Sequence, residues 1–181
     1  GVGGTLRLRP EAIERTLDGA ANILGTIDST RTHGYGVAAA TSALRDAENR
    51  DHFIRRFAEK LGVAPRILSG DEEAGTTFLG AASDIDPAAT VCTLDIGGGS
   101  SELGIGRNGE CWQAVSVDMG CVRLAERFDL MERASPEAVE HARSDVQHIL
   151  APVAAQLGDA AGAFRPDHLV VSGGTATTYA A

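Results

Sequence analysis

Apolar residues recur at spacings of three and four along residues 10–27 (Ile13, Leu17, Ala20, Leu24, Ile27), with Glu11, Glu14 and Asp18 between them. That spacing predicts a helix with one buried face. Pro10 opens it at the position where a missing N–H costs nothing. Residues 1–9 read as an irregular lead-in, and Gly34 ends the segment. Tyr35 to Ala40 reads as a buried strand of small residues that empties into Thr41-Ser42-Ala43-Leu44-Arg45-Asp46. Phe53, Ile54, Phe57 and Leu61 predict a second helix over about 50–61, closed by Gly62. A short strand, Arg66 to Leu68, precedes the turn Ser69-Gly70. Asp71 is expected to cap a helix carrying Glu72, Glu73, Phe78 and Leu79 inside it.

The pattern then changes period. Val91 to Leu94 is a short β-type run that delivers Asp95 to its end; three glycines turn the chain, and Ser101 to Ile105 alternates outward again. A third strand, Cys111 to Val117, follows. Met119-Gly120-Cys121 turns into a short helix ending near Phe128. Ser135-Pro136-Glu137 is a helix start, with Val139, Ala142, Val146 and Ile149 predicted inward and Pro152 expected to kink or split the helix. His168 to Ser172 is a last strand, followed by Gly173-Gly174-Thr175 and the first turn of another helix. Helix and strand alternate in the first half, whereas the second half begins with consecutive strands. This shift places a domain boundary between about Ala74 and Ala89, drawn as 1–78 and 79–181.

The glycine-tipped hairpin is where chemistry is expected. Gly97, Gly98 and Gly99 carry no Cβ, so the backbone there can turn several N–H groups toward an anion, with the Ser100 hydroxyl beside them. Asp95 repels phosphate and belongs beside it only with a hard cation such as Mg²⁺ between them. Glu102 is a second carboxylate just past the turn. A strand-to-strand hairpin argues against a P-loop or a dinucleotide fingerprint, both of which lead into a helix.

Composition narrows the partners. The 181 residues hold 16 basic against 25 acidic side chains, a net charge of −9. That disfavours a broad surface for nucleic acid or anionic membrane, so an anionic substrate needs a local basic group or a metal ion. Three cysteines without CxxC spacing fit a reduced, cytoplasmic setting. The apolar runs fall short of a membrane helix. With 4% aromatic residues, the core must be built from Ala, Val, Leu and Ile. The five histidines are scattered without metal-ligand spacing.

Four separated stretches, in order, resemble the exopolyphosphatase / guanosine pentaphosphate phosphatase family. They are Thr-Ser-Ala-Leu-Arg-Asp-Ala-Glu-Asn (41–49), Ser-Gly-Asp-Glu-Glu-Ala (69–74), Asp-Ile-Gly-Gly-Gly-Ser-Ser-Glu-Leu (95–103) and Met-Gly-Cys-Val-Arg-Leu (119–124). Ser-Gly-Gly-Thr-Ala-Thr (172–177) resembles that family's later glycine turn. The glycine hairpin alone would indicate only the wider superfamily of actin, sugar kinases and heat-shock chaperones. The resemblance implies an α/β, actin-like (ribonuclease H-like) two-domain architecture of mixed sheets with flanking helices. One element of the family pattern, an N-terminal Asp-Gly-Ser-Asn-type phosphate hairpin, is not matched. The implied reading is an internal piece of a longer protein: the end of one actin-like domain and the start of the next, with little turnover by itself.

What the resemblance implies for residues follows position by position. Glu73 matches the family's catalytic glutamate, a carboxylate that orients and deprotonates the attacking water. Spacing alone does not separate it from Glu72. Asp95 and Glu102 resemble the carboxylates that hold Mg²⁺ or Mn²⁺. Arg45 sits where the family has a phosphate-contacting arginine, with an ion pair to Asp46 or Glu48 as its rival role. Gly173, Gly174 and Thr175 are candidates for a nucleotide or the far part of a chain substrate, or equally a helix-entry turn. The implied activity is metal-dependent hydrolysis of terminal phosphate from inorganic polyphosphate or guanosine pentaphosphate. Two alternatives are a phosphotransferase of the same superfamily and a non-catalytic polyphosphate or alarmone sensor. A homodimer is an implication of the resemblance alone.

Overall fold

A computed structural model describes residues 6–27, 36–162 and 165–181. Contacts divide the chain into two units, Gly1–Ser69 and Gly70–Ala181. The division thus falls ahead of the helix that carries Glu73, not inside that helix at 78/79.

In the first unit, α1 (Pro10–Thr26) is followed by β1 (Ala39–Ala40), α2 (Ser42–Arg45), α3 (Arg50–Leu61) and β2 (Arg66–Ile67). β1 and β2 pair in parallel, Ala39 with Arg66 and Ala40 with Ile67. Ile13 and Leu17 of α1 meet Leu44 and Phe53 in one buried cluster. The far end of the predicted apolar face stays in solvent: Leu24 and Ile27 are exposed. The strand expected over 35–40 is two residues long, Ala39–Ala40, and Tyr35 and Gly34 lie outside the described residues. Asn49 ties the lead-in down, accepting from Leu8 N–H at 2.8 Å and donating to the Leu8 carbonyl at 3.0 Å.

The second unit is built on a four-stranded sheet in the order β5-β4-β3-β6. Its elements are α4 (Gly70–Ala81), β3 (Thr90–Ile96), β4 (Ser101–Arg107), β5 (Glu110–Val117), α5 (Cys121–Arg127), α6 (Pro136–Ala161), β6 (His168–Ser172) and α7 (Gly174–Ala180). β3, β4 and β5 form an antiparallel meander, and β6 joins β3 in parallel. Asn108 and Gly109, both at positive φ, make the two-residue turn between β4 and β5, a turn whose twist suits a tight hairpin. A register shift between Ile105 and Gly106 then offsets the rest of β5 by one residue.

Period-two alternation assigns the two sheet faces. Leu103, Ile105, Val115 and Val117 pack with Val153, Leu157 and Ala161 of α6. Thr93, Gly104 and Gly106 face α4, where the fully buried Phe78 ring lies over strand positions without side chains to oppose it.

Three expectations change here. α4 begins at Gly70, so Asp71 lies within its first turn with Glu72 and Glu73. α6 runs unbroken past Pro152. Its buried residues are Ala142, Val153, Leu157 and Ala161, while Val139 is exposed, because the sheet meets the later turns of the helix. Ser135 caps it as expected, its hydroxyl accepting from Ala138 N–H at 3.1 Å.

Candidate functional site

The hairpin register places Asp95 directly opposite Glu102. On either side the pairing continues in one line: Glu102 opposite Ser116 of β5, and Asp95 opposite Ser172 of β6. A single row therefore crosses all four strands, with two carboxylates inside and two hydroxyls outside. The Ser116 hydroxyl donates to Glu102 Oε1 at 2.8 Å, and the Ser172 hydroxyl donates to Asp95 Oδ1 at 2.8 Å.

Glu102 is 2% exposed. Burial pushes its carboxyl above the ordinary range; hydroxyls of Ser100 and Ser116 pull it down, and the charges of Glu73 and Asp95 push it up again. Glu73 thus acts on the same row from the first turn of α4. Glu72, one residue earlier, is exposed, whereas Glu73 is half-buried. The helix start is held close to the row, since a Cβ on Gly70 would lie 2.9 Å from Ser116 Cβ.

Like charges directly opposite on neighbouring strands destabilise a sheet. A cation or a proton removes that cost. Among the described residues, no group of three or more His, Cys, Asp or Glu side chains is arranged to hold a metal ion, so a preformed cage is absent from them. Mg²⁺ asks for less: one or two carboxylates, with the remaining positions taken by waters and substrate phosphate oxygens. The oxygen-only pair Asp95 and Glu102 fits a hard divalent cation of that kind.

The glycine turn is clamped from one side. Gly97 N–H bonds the Ser100 carbonyl at 3.1 Å and closes the turn. The Gly97 carbonyl accepts from Cys121 N–H at 2.9 Å, and the Gly98 carbonyl accepts from Val122 and Arg123 N–H, each at 3.0 Å. Arg123 Nε donates to the Gly99 carbonyl at 2.7 Å. Ser101 Oγ donates to the Met119 carbonyl. With its carbonyls committed to α5, the loop has its Gly98 and Gly99 N–H groups without an acceptor among the described residues. Gly120 makes the clamp possible: a Cβ there would lie 2.3 Å from the Gly98 carbonyl.

The β6–α7 turn reaches the same row. Gly173 has φ +91, and a Cβ on it would meet the Ile96 carbonyl at 2.5 Å and Asp95 Oδ1 at 2.8 Å, a position that only glycine fills without strain. Glu73, Asp95, Gly97, Gly98, Gly99, Ser100, Glu102, Gly173, Gly174 and Thr175 all belong to the second unit. Arg45 belongs to the first, where its guanidinium donates to the Leu68 carbonyl at 3.0 Å. Gly120, Arg123 and Ser172 lie in stretches that carry the family resemblance but have no role assigned from the sequence, and Ser116 lies in none of them. Strand alternation carries part of their signal, since Ser172 closes a β-run just before a glycine pair.

The model of the Ppx/GppA phosphatase family matches residues 3–180. Exopolyphosphatase 2 of Mycobacterium tuberculosis is 37% identical over 159 residues, 84% of this chain and 49% of that protein. A bifunctional 3-dehydroquinate synthase/phosphatase of Fusobacterium nucleatum is 36% identical over 126 residues, 68% of this chain and 19% of its own length. Among solved structures, an exopolyphosphatase-like protein superposes with a TM-score of 0.83 at 32% identity, covering 98% of this chain and 56% of the other. An exopolyphosphatase from Cytophaga hutchinsonii gives 0.81 at 25% identity, with 96% and 55% covered. The chain spans about half the length of the Mycobacterium relative.

Proposed function

The chain belongs to the Ppx/GppA phosphatase family, and on that premise we propose that it carries the metal-binding and water-activating half of a phosphoanhydride hydrolase. The substrate in this reading is inorganic polyphosphate, losing its terminal phosphate, or guanosine pentaphosphate. The observation that carries it is the row Ser116, Glu102, Asp95, Ser172, with the half-buried Glu73 in the first turn of the helix whose start packs on Ser116. The names of the Mycobacterium and Cytophaga relatives support the polyphosphate side of the reading.

Each residue then has a task. Glu73 accepts a proton from the attacking water and holds it in line with the terminal phosphorus. Asp95 and Glu102 would hold Mg²⁺ or Mn²⁺, which would supply neutralisation of the phosphate oxygens and of the developing negative charge. The N–H groups of Gly98 and Gly99 take further phosphate oxygens, while the buried Ser100, expected from the sequence to contact phosphate, gives its hydroxyl to Glu102 instead. Gly173, Gly174 and Thr175 take a more distant part of the substrate. Arg45 contacts phosphate on the strength of the resemblance alone.

The test is phosphate release from polyphosphate and from guanosine pentaphosphate by the intact protein, with Mg²⁺ and with EDTA. Glu73→Gln is expected to lower kcat about 10²–10⁴-fold, the usual worth of a positioned general base. Undiminished hydrolysis by that variant would remove Glu73 from the mechanism. Tight binding of either substrate without any turnover by the wild type would make the protein a sensor.

A further inference from the structure

We propose that Ser116 and Ser172 are positioning residues that fix Asp95 and Glu102 for a shared divalent cation. The proposal rests on the metal-dependent reading above and deepens it. Its basis is the symmetry of the row. Both inner residues are carboxylates, both outer residues are hydroxyl donors, and each donor bonds the carboxylate on its own side at 2.8 Å.

A carboxylate on a strand can rotate about its terminal bonds, and an isolated opposed pair would rotate its charges apart. Each serine limits that freedom from the outside, and at Glu102 the Ser100 hydroxyl bonds the same carboxylate as Ser116. Ser172 holds Oδ1 of Asp95, leaving Oδ2 without a protein partner among the described residues. Ser116 holds Oε1 of Glu102 in a setting that is almost fully buried. Neither serine needs to touch an ion to do this.

The surroundings keep the serines themselves in place. Ser172 ends β6 and leads into Gly173, which packs on the Ile96 carbonyl and on the same Oδ1. Ser116 lies beneath Gly70 at the start of α4. The two hydroxyls belong to strands on opposite edges of the sheet, β5 and β6. Outer partners of metal-holding carboxylates typically govern affinity by about 10–100-fold.

Mn²⁺ binding to the intact protein, read by water-proton relaxation, tests this without turnover. Ser116→Ala and Ser172→Ala are each expected to weaken Mn²⁺ binding about 10–100-fold. Ser172→Thr, which keeps the hydroxyl, should restore it, and Ser144→Ala on the exposed face of α6 should not change it. In the hydrolysis assay the same alanine variants should need more Mg²⁺ for half-maximal rate and recover most of kcat in excess. Thermal unfolding is measured alongside. If an alanine variant does not fold, Ser172→Thr and the remaining variant carry the comparison.

The outcomes separate cleanly. If the wild type binds Mn²⁺, Asp95→Asn abolishes binding, and both alanine variants bind as the wild type does, the positioning role is overturned and the metal site stands. A lower melting midpoint with unchanged Mn²⁺ affinity overturns it in the same way. If the wild type and Asp95→Asn both fail to bind Mn²⁺, the metal reading falls and this inference with it.

Discussion

Replacing Glu102 with Gln should make the metal-free protein more stable while destroying its activity. In the absence of a divalent cation, the buried Glu102 carboxylate faces Asp95 across the strand pair, and the Glu73 charge adds to the repulsion. Glutamine has the same length, keeps a carbonyl oxygen for the Ser116 hydroxyl, and carries an NH₂ able to donate to a carboxylate. Opposed cross-strand pairs are worth about 0.2–1 kcal/mol. At about 2–4 °C per kcal/mol for a chain of this size, the melting midpoint in EDTA should rise by ~0.4–4 °C at neutral pH. The pH course has a definite sign. The folded-state pKa of Glu102 lies above its unfolded value, so the native state binds more protons in the window between them. Wild-type stability from this group is therefore full below the unfolded pKa and lost as pH rises through the folded one. The variant lacks that loss, so the gap between the two proteins opens on the alkaline side. Circular-dichroism melts in EDTA from about pH 4 to about pH 8 measure it. Adding Mg²⁺ should then raise the midpoint of the wild type and leave that of the variant unmoved, by mass action on the native state. A variant that melts at or below the wild type in EDTA at neutral pH would refute the repulsion argument.

Other substitutions probe the frame. Phe78→Ala empties the fully buried space between α4 and the sheet and should cost about 3–5 kcal/mol in denaturant unfolding. Gly120→Ala drives a methyl into the Gly98 backbone; far-UV circular dichroism should persist while phosphate release falls more than about 10-fold. Timed thiol labelling with mass spectrometry should find Cys121, which is exposed, modified first. Cys92 and Cys111 should lag, since burial raises both thiols and keeps them protonated.

Much of the frame was legible in the sequence because its signals are local. The Pro10, Ser135-Pro136 and Gly62 boundaries act within a turn of the helices they delimit, and α3 and β6 fall where the apolar spacing put them. The glycine hairpin, Asp95 and Glu102 were legible for the same reason: a four-residue tip between two short β-runs leaves one natural pairing. What was lost depends on distant partners. The exposure of Leu24, Ile27 and Val139 reflects what lies opposite each helix, which periodicity does not report. Pro152 sits on the exposed side of α6 and interrupts nothing that the packing relies on. Ser116 was illegible for a sharper reason. Counting pairs back from the Asn108-Gly109 turn sets Val115 opposite Glu102, and only the shift at Ile105/Gly106 brings Ser116 there. The preference for Glu73 over Glu72 also came from resemblance, and becomes a physical distinction only with their unequal exposure.

That one-residue shift makes β5 a parity element. Because side chains alternate, a strand advanced by a single position exchanges its entire front and back. Without the offset, Val115 and Val117 would turn toward Asp95 and Glu102, and Ser116 would enter the oily contact with α6. A slipped meander therefore loses its core and its polar row in the same event, so misregistered folding is penalised twice. Single-residue insertions or deletions between Gly106 and Ser116 should be rejected outright. Paired changes at the Asn108-Gly109 tip, which preserve odd and even, are where length variation belongs.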